Sequence, residues 1–178
     1  METMISKFKQ IKVLHLFAII IRYLLGGSFV HASIFKIRGI RFTPESGENS
    51  PIDTLPHFFE AMFQAGNYWQ FLGWGQLIAG FLLMSQVFST LGAVAFFPIM
   101  LNIFVITISF ESTGILIITS LMLLGNIYLL LWDWDKLKFI VLPRPGNYIP
   151  VPQEFSDKKT WIYLGFVLCG LIIISRIL

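Results

Sequence analysis

The sequence predicts an all-α, polytopic transmembrane protein: an antiparallel four-helix bundle with a fifth, C-terminal transmembrane helix outside it. Three observations carry this. Charged residues make up 13% of the 178 residues and hydrophobic ones 56%, with a mean hydropathy of +0.75. Soluble domains carry about 25% charged residues, so much of this apolar surface has only lipid to face. Five apolar stretches each approach the roughly 20 residues that cross about 30 Å of hydrocarbon. The links between the second, third and fourth stretches are too short for anything but antiparallel neighbours.

The elements follow in order. Residues 1–12 form a short cytoplasmic segment with Lys7, Lys9 and Lys12. The first span covers residues 13–35 and carries Arg22 in its middle. Val30-His31-Ala32 has the small-residue look of a signal cleavage site, but the charge at Arg22 and the length of the stretch favour a retained helix. An outer loop, 37–67, follows. Within it Leu55, Phe58, Phe59, Met62 and Phe63 repeat at helical spacing, which predicts an interfacial helix near 55–65 or a lid over the bundle mouth. Thr54 suits its N-cap, Pro56 its first turn and Gly66 its stop. Spans two to four are read at 68–88, 92–110 and 115–132, linked by Ser89-Thr90-Leu91 and by Glu111-Ser112-Thr113-Gly114. Together residues 13–137 make one membrane domain. A proline-rich cytoplasmic linker, 138–160, holds Pro143, Pro145, Pro150 and Pro152, and leads to the fifth span at 161–178.

Orientation follows from the Lys and Arg near the span ends. The N-terminal lysines and Lys136, Lys138, Arg144, Lys158 and Lys159 fall on one side, which predicts a cytoplasmic N-terminus and, with five spans, a C-terminus outside. The lipid bilayer is the first partner this implies. No basic run with interleaved aromatics is present to form a nucleic-acid groove. Cys169 is the single cysteine, so no intramolecular disulfide and no Cys-x-x-Cys pair can form. No nucleophile–base constellation and no Gly-rich phosphate loop is visible, so catalytic residues stay unknown. The three histidines lack ligand spacing, and no metal or haem motif is read.

Polar residues recur along one face of each of the four helices. Residues seven apart nearly eclipse on a helix, which aligns Arg22, Phe29 and Lys36 with Gly26 and Ser33 beside them. Trp69, Gln76 and Leu83 align with Gly73 and Gly80; Asn102 aligns with Ser109, and Thr119 with Asn126 and Asp133. The simplest arrangement turns all four rows inward. That predicts a polar intramembrane pocket: Arg22 the cation, Gln76, Asn102 and Asn126 hydrogen-bonding partners, Trp69 and Trp74 at the outer rim, and Lys36 further along the Arg22 row. The alternative is that these side chains only tie helices together, which contributes about 0.6 kcal/mol each on average. Arg22 argues for more, because a charge within a span costs roughly 2.5–3.5 kcal/mol. The sequence shows no obvious carboxylate partner for it, since Glu111 and Asp133 lie at helix ends.

The spacing Arg22-x3-Gly26-x2-Phe29-x3-Ser33-x2-Lys36 resembles the first-helix signature of the DoxX-like membrane proteins, and Gly75-Gln76-Leu77-Ile78-Ala79-Gly80 resembles their second-helix segment. The short links match as well, and the resemblance runs over roughly residues 13–137. It implies a four-helix membrane bundle in a bacterial inner membrane, some relatives being subunits of quinone-linked sulfur oxidation or redox stress complexes. Two departures stand out: Gln76 replaces a frequent acid and Ser33 a frequent glycine. The expectation is therefore a subunit that binds a quinone or small anionic metabolite around Arg22. A small anion transporter or pore selected by Arg22 and Lys36 is the second reading. An adaptor or homo-oligomer that docks a protein partner through the proline loop is the third.

Overall fold

The computed structural model describes residues 12–43, 46–110 and 113–141. The N-terminal lysines 7 and 9, Glu111, the prolines of the linker and the fifth span lie outside these described residues. Six helices make up the described chain, with no strand among them: α1 (Lys12–Ile37), α2 (Leu55–Gln64), α3 (Asn67–Met84), α4 (Ser89–Ser109), α5 (Thr113–Trp132) and α6 (Trp134–Val141). Residues 138–141, expected at the start of the linker, continue α6 instead.

Three helices are long and apolar enough to cross a membrane: α1 with 26 residues, α4 with 21 and α5 with 20. Their apolar character extends to the outside of the fold, where Leu24, Leu121 and Leu124 are all exposed. Helices apolar on every side suit a lipid surround. The 18-residue α3 falls outside that group, since Asn67, Gln70 and Gln76 dilute its apolar run.

The helices pack in sequence order. The most extensive interface joins α1 to α3; α3 packs on α4, α4 on α5, and α5 returns to α1. Glycines let α1 and α3 approach. A Cβ on Gly80 would meet the Gly26 carbonyl oxygen at 2.7 Å, and one on Gly73 would meet Lys36 Cβ at 2.8 Å. Pairing 26 with 80 and 36 with 73 makes the two helices antiparallel. Gly92 serves the next turn, because a Cβ there would overlap the backbone of Leu83. The link between α3 and α4 is the Ser85–Phe88 turn, and Ser89, Thr90 and Leu91, expected in the link, open α4. Gln86 in this turn has φ 59°, a left-handed conformation rare outside glycine.

The centre is filled by side chains. Phe29 of α1 stacks on Phe96 of α4 with centroids 3.7 Å apart, and Leu83, Met100 and Leu129 are fully buried around them. On α4 the buried face is Ala93, Phe96, Met100 and Thr107. Asn102 and Ser109 lie on its exposed side, so the third polar row points outward, contrary to expectation.

The helix expected near 55–65 is present. Thr54 precedes it with extended backbone, but its hydroxyl donates to Pro51 O at 2.6 Å and caps nothing. Gly66 follows with φ 55°. The apolar stripe is half-buried beyond Leu55, and Phe58 meets Phe110 at the end of α4 with centroids 5.3 Å apart. The buried polar residue on this helix is Glu60, which periodicity did not single out.

Candidate functional site

Two charged side chains enter the fold from α1, and both are more than nine-tenths buried: Arg22 is 7% exposed and Lys36 6%. They share the face that also buries Ala18, Leu25, Gly26, Phe29 and Ser33. Fourteen residues separate them, about 21 Å along the axis at 1.5 Å per residue. They therefore occupy opposite ends of the helix packing, with the Phe29–Phe96 stack between them.

Arg22 is fully engaged at its tip. Its Nη2 donates to Asp133 Oδ2 at 3.1 Å and its Nη1 to Gln86 Oε1 at 3.1 Å. Thr90 Oγ1 donates to the same carboxylate oxygen at 3.0 Å, and Lys136 Nζ lies 3.7 Å from Oδ1. The partner absent from the sequence reading is thus Asp133, at the α5–α6 junction. The long side chain carries the charge from mid-helix to the end of α5, where the acid waits. The Arg22 Nε has no partner among the described residues.

Lys36 is held differently. Its Nζ donates to Ala32 O at a long 3.4 Å and lies over two rings, 4.6 Å from the Phe42 centroid and 5.0 Å from that of Trp69. Trp69, expected at the rim, is 2% exposed and donates its indole N–H to Ile40 O at 3.1 Å. Trp74, the other rim candidate, is half-exposed on the outside of α3. Neither Trp74 nor Asn102 joins either cation.

Gln76 and Asn126 are buried inside, as their rows predict. Asn126 Nδ2 donates to Ala93 O at 3.1 Å, tying α5 to α4. Asn126 Oδ1 and Gln76 Oε1 have no hydrogen-bond partner among the described residues. Of the seven residues singled out from sequence, Lys36 and Trp69 meet directly, Gln76 and Asn126 lie in the interior, and Arg22 belongs to a separate network.

A clamp between exposed Arg41 and buried Glu60 ties the loop after α1 to α2. Arg41 Nε and Nη2 each donate to one Glu60 oxygen at 2.8 Å, a bidentate pair. Gly47 N and Gln64 Nε2 add bonds at 3.3 and 3.4 Å. Arg41 also lies 4.7 Å over the Phe63 ring, which meets Trp69 edge-on. The paired bonds from Arg41, helped by the Gly47 N–H, outweigh burial and hold the Glu60 carboxyl down at about 2; the same bonds push Arg41 upward. A folded carboxyl that ionises more readily than the unfolded one, near 4.5, stabilises the fold only while ionised. Its contribution is complete above about pH 4.5, fades below that and is gone below about pH 2. The stability difference between wild type and Glu60→Gln is therefore expected to shrink as pH falls from 6 to 2.5. Thermal midpoints in detergent across that range check it; a constant difference refutes it.

Among the described residues no three His, Cys, Asp or Glu side chains gather as metal ligands. Open cavities line the described residues. One of about 570 Å³ is an apolar groove between α1 and α5, walled by residues such as Phe17, Leu24, Leu121 and Tyr128, away from Lys36. Another, about 360 Å³, is walled by Gly39, Ile40, Arg41, Thr43 and Phe63 at the Lys36 end. The arrangement offers one neutralised cation and one without a counter-charge among the described residues; the second is suited to an anion or a carbonyl oxygen. No family model matches the chain, and no curated protein or solved structure does.

Proposed function

We propose that this chain is a DoxX-like subunit of a bacterial inner membrane, in which four helices cross the bilayer and a cation of α1 binds the polar head of a quinone or small organic acid. One observation carries the reading: α1 buries two full charges on one face. Stability alone does not call for them, because apolar residues of the same size serve a buried site as well or better. The helix α3 counts as the fourth span. Its 18 residues reach about 27 Å at 1.5 Å per residue, and its polar Gln76 is turned inward.

An anion pore through Arg22 and Lys36 is less well supported. Phe29, Phe96, Leu83 and Met100 occupy the space between the two charges, and a solute would have to part them. Binding at one end needs no such movement.

Small-molecule mass spectrometry of the gently solubilised protein tests the reading, run beside Arg22→Ala and Lys36→Ala. The expected result is a quinone or organic acid in wild type, reduced at least tenfold in one of the variants. Ordinary phospholipid and nothing else in all three samples would remove the ligand-binding role.

A further inference from the structure

We infer that Lys36 docks the carboxylate of a single-chain amphiphile, of the fatty-acid type, at the end of α1 beside Trp69. This rests on the binding reading above and names both the cation and the ligand class.

The case begins with donors. An ammonium has three N–H groups, and Lys36 spends one on Ala32 O at 3.4 Å. Phe42 and Trp69 supply cation–π attraction, but they offer no oxygen. Two donors are left for an acceptor. Among the described residues the buried acid at this end, Glu60, cannot serve, because Arg41, Gly47 and Gln64 already fill its oxygens. Arg22 is the counter-example on the same helix, with an acid and an amide on its tip.

The charge count sets the ligand. Among the described residues no carboxylate answers Lys36, and one positive charge in a low-dielectric site matches one negative charge. A compact ammonium is a point charge without the fork of a guanidinium, and two rings within 5.0 Å leave a narrow approach. A carboxylate meets both conditions, offering two oxygens for two donors. The surroundings select the rest of the molecule. Ile34, Ile40 and Phe42 are about half-exposed around the last turn of α1 and the chain after it, an apolar path for an alkyl tail. Two walls of the 360 Å³ cavity touch Trp69: Ile40 accepts the indole N–H, and Phe63 packs edge-on to the ring.

The test is binding of dodecanoate to the full chain in phosphatidylcholine nanodiscs, corrected for uptake by empty nanodiscs. Wild type is expected to bind dodecanoate saturably and dodecanol at least tenfold more weakly. Lys36→Gln should weaken dodecanoate at least tenfold, while Lys36→Arg, which restores the charge, and Arg22→Gln retain most of it. Acetate is expected not to compete at equal concentration; if it does, a free small carboxylate is the ligand and the amphiphile is refuted. Equal binding of dodecanol and dodecanoate by wild type, which needs no variant to fold, also overturns the inference. So does dodecanoate binding that survives Lys36→Gln and vanishes in Arg22→Gln. A copurified ligand lost only in Arg22→Ala would leave the binding reading in place and remove Lys36 from it.

Discussion

Replacing Asp133 with Ala is expected to cost about 3–5 kcal/mol of stability, because it strands the Arg22 guanidinium in a buried site. Among the described residues Arg22 keeps one neutral acceptor, Gln86 Oε1, and its Nε is already without a partner. The reverse substitution is expected to cost less, about 1–3 kcal/mol. In Arg22→Ala the carboxylate still accepts from Thr90 and still lies 3.7 Å from Lys136, so a charge is weakened in its pairing rather than left alone. The double variant Arg22→Met/Asp133→Leu should recover most of the loss, since apolar residues of similar volume commonly replace a buried ion pair without penalty. Equilibrium unfolding in mixed micelles reads all three. Equal costs for the two single variants, or a double variant at the sum of both, would show that the pair is not the unit of stability.

The second large effect is steric. Gly80→Val is expected to destabilise by about 3 kcal/mol or more, at the upper end of what overpacking costs. A Cβ at Gly80 would stand 2.7 Å from Gly26 O, 3.1 Å from Val30 Cγ2 and 3.2 Å from Phe29 Cβ. The nearest of these is backbone, which cannot rotate away, so α1 and α3 must separate along their main interface. Gly27 is the control. Nothing lies within 4 Å of a Cβ there, and Gly27→Ala should stabilise by about 0.5–1 kcal/mol through helix propensity. The same unfolding measurement compares them, and similar effects at 27 and 80 would deny the close approach of α1 and α3. The Gly80 variant should also disturb the far end of the interface, where Gly73 packs on Lys36 Cβ.

Sequence rows predicted facing correctly where they contained small residues. Arg22, Gly26, Phe29, Ser33 and Lys36 are all buried on α1, and Trp69, Gly73, Gln76, Gly80 and Leu83 on α3. Glycines mark where backbones approach, so the rows beside them turn inward. Thr119, Asn126 and Asp133 are buried as well. The row of Asn102 failed because α4 presents Phe96 and Met100 to the centre. A membrane helix is apolar on every face, so hydropathy does not distinguish its inner side, and the shape needed to fill the core decided instead. Trp74 failed for the same reason: an aromatic residue suits a lipid-facing surface as well as a rim.

From the sequence alone came the membrane class, the bounds of the described helices to within a few residues, the short helix before α3 and the two charges of α1. All of these are local: a run of apolar residues or a repeat at helical spacing reports them without reference to the rest of the chain. Tertiary structure decided the meaning of the two charges. Arg22 is answered by an acid 111 residues away, reached only because α5 runs antiparallel to α1 and ends beside the α3–α4 turn. Lys36 is enclosed by Phe42 and Trp69, while the nearby loop gives its own buried acid to Arg41. A charge written in a sequence carries no record of its counter-charge. That pairing depends on distance in space, and the packing of the helices sets it.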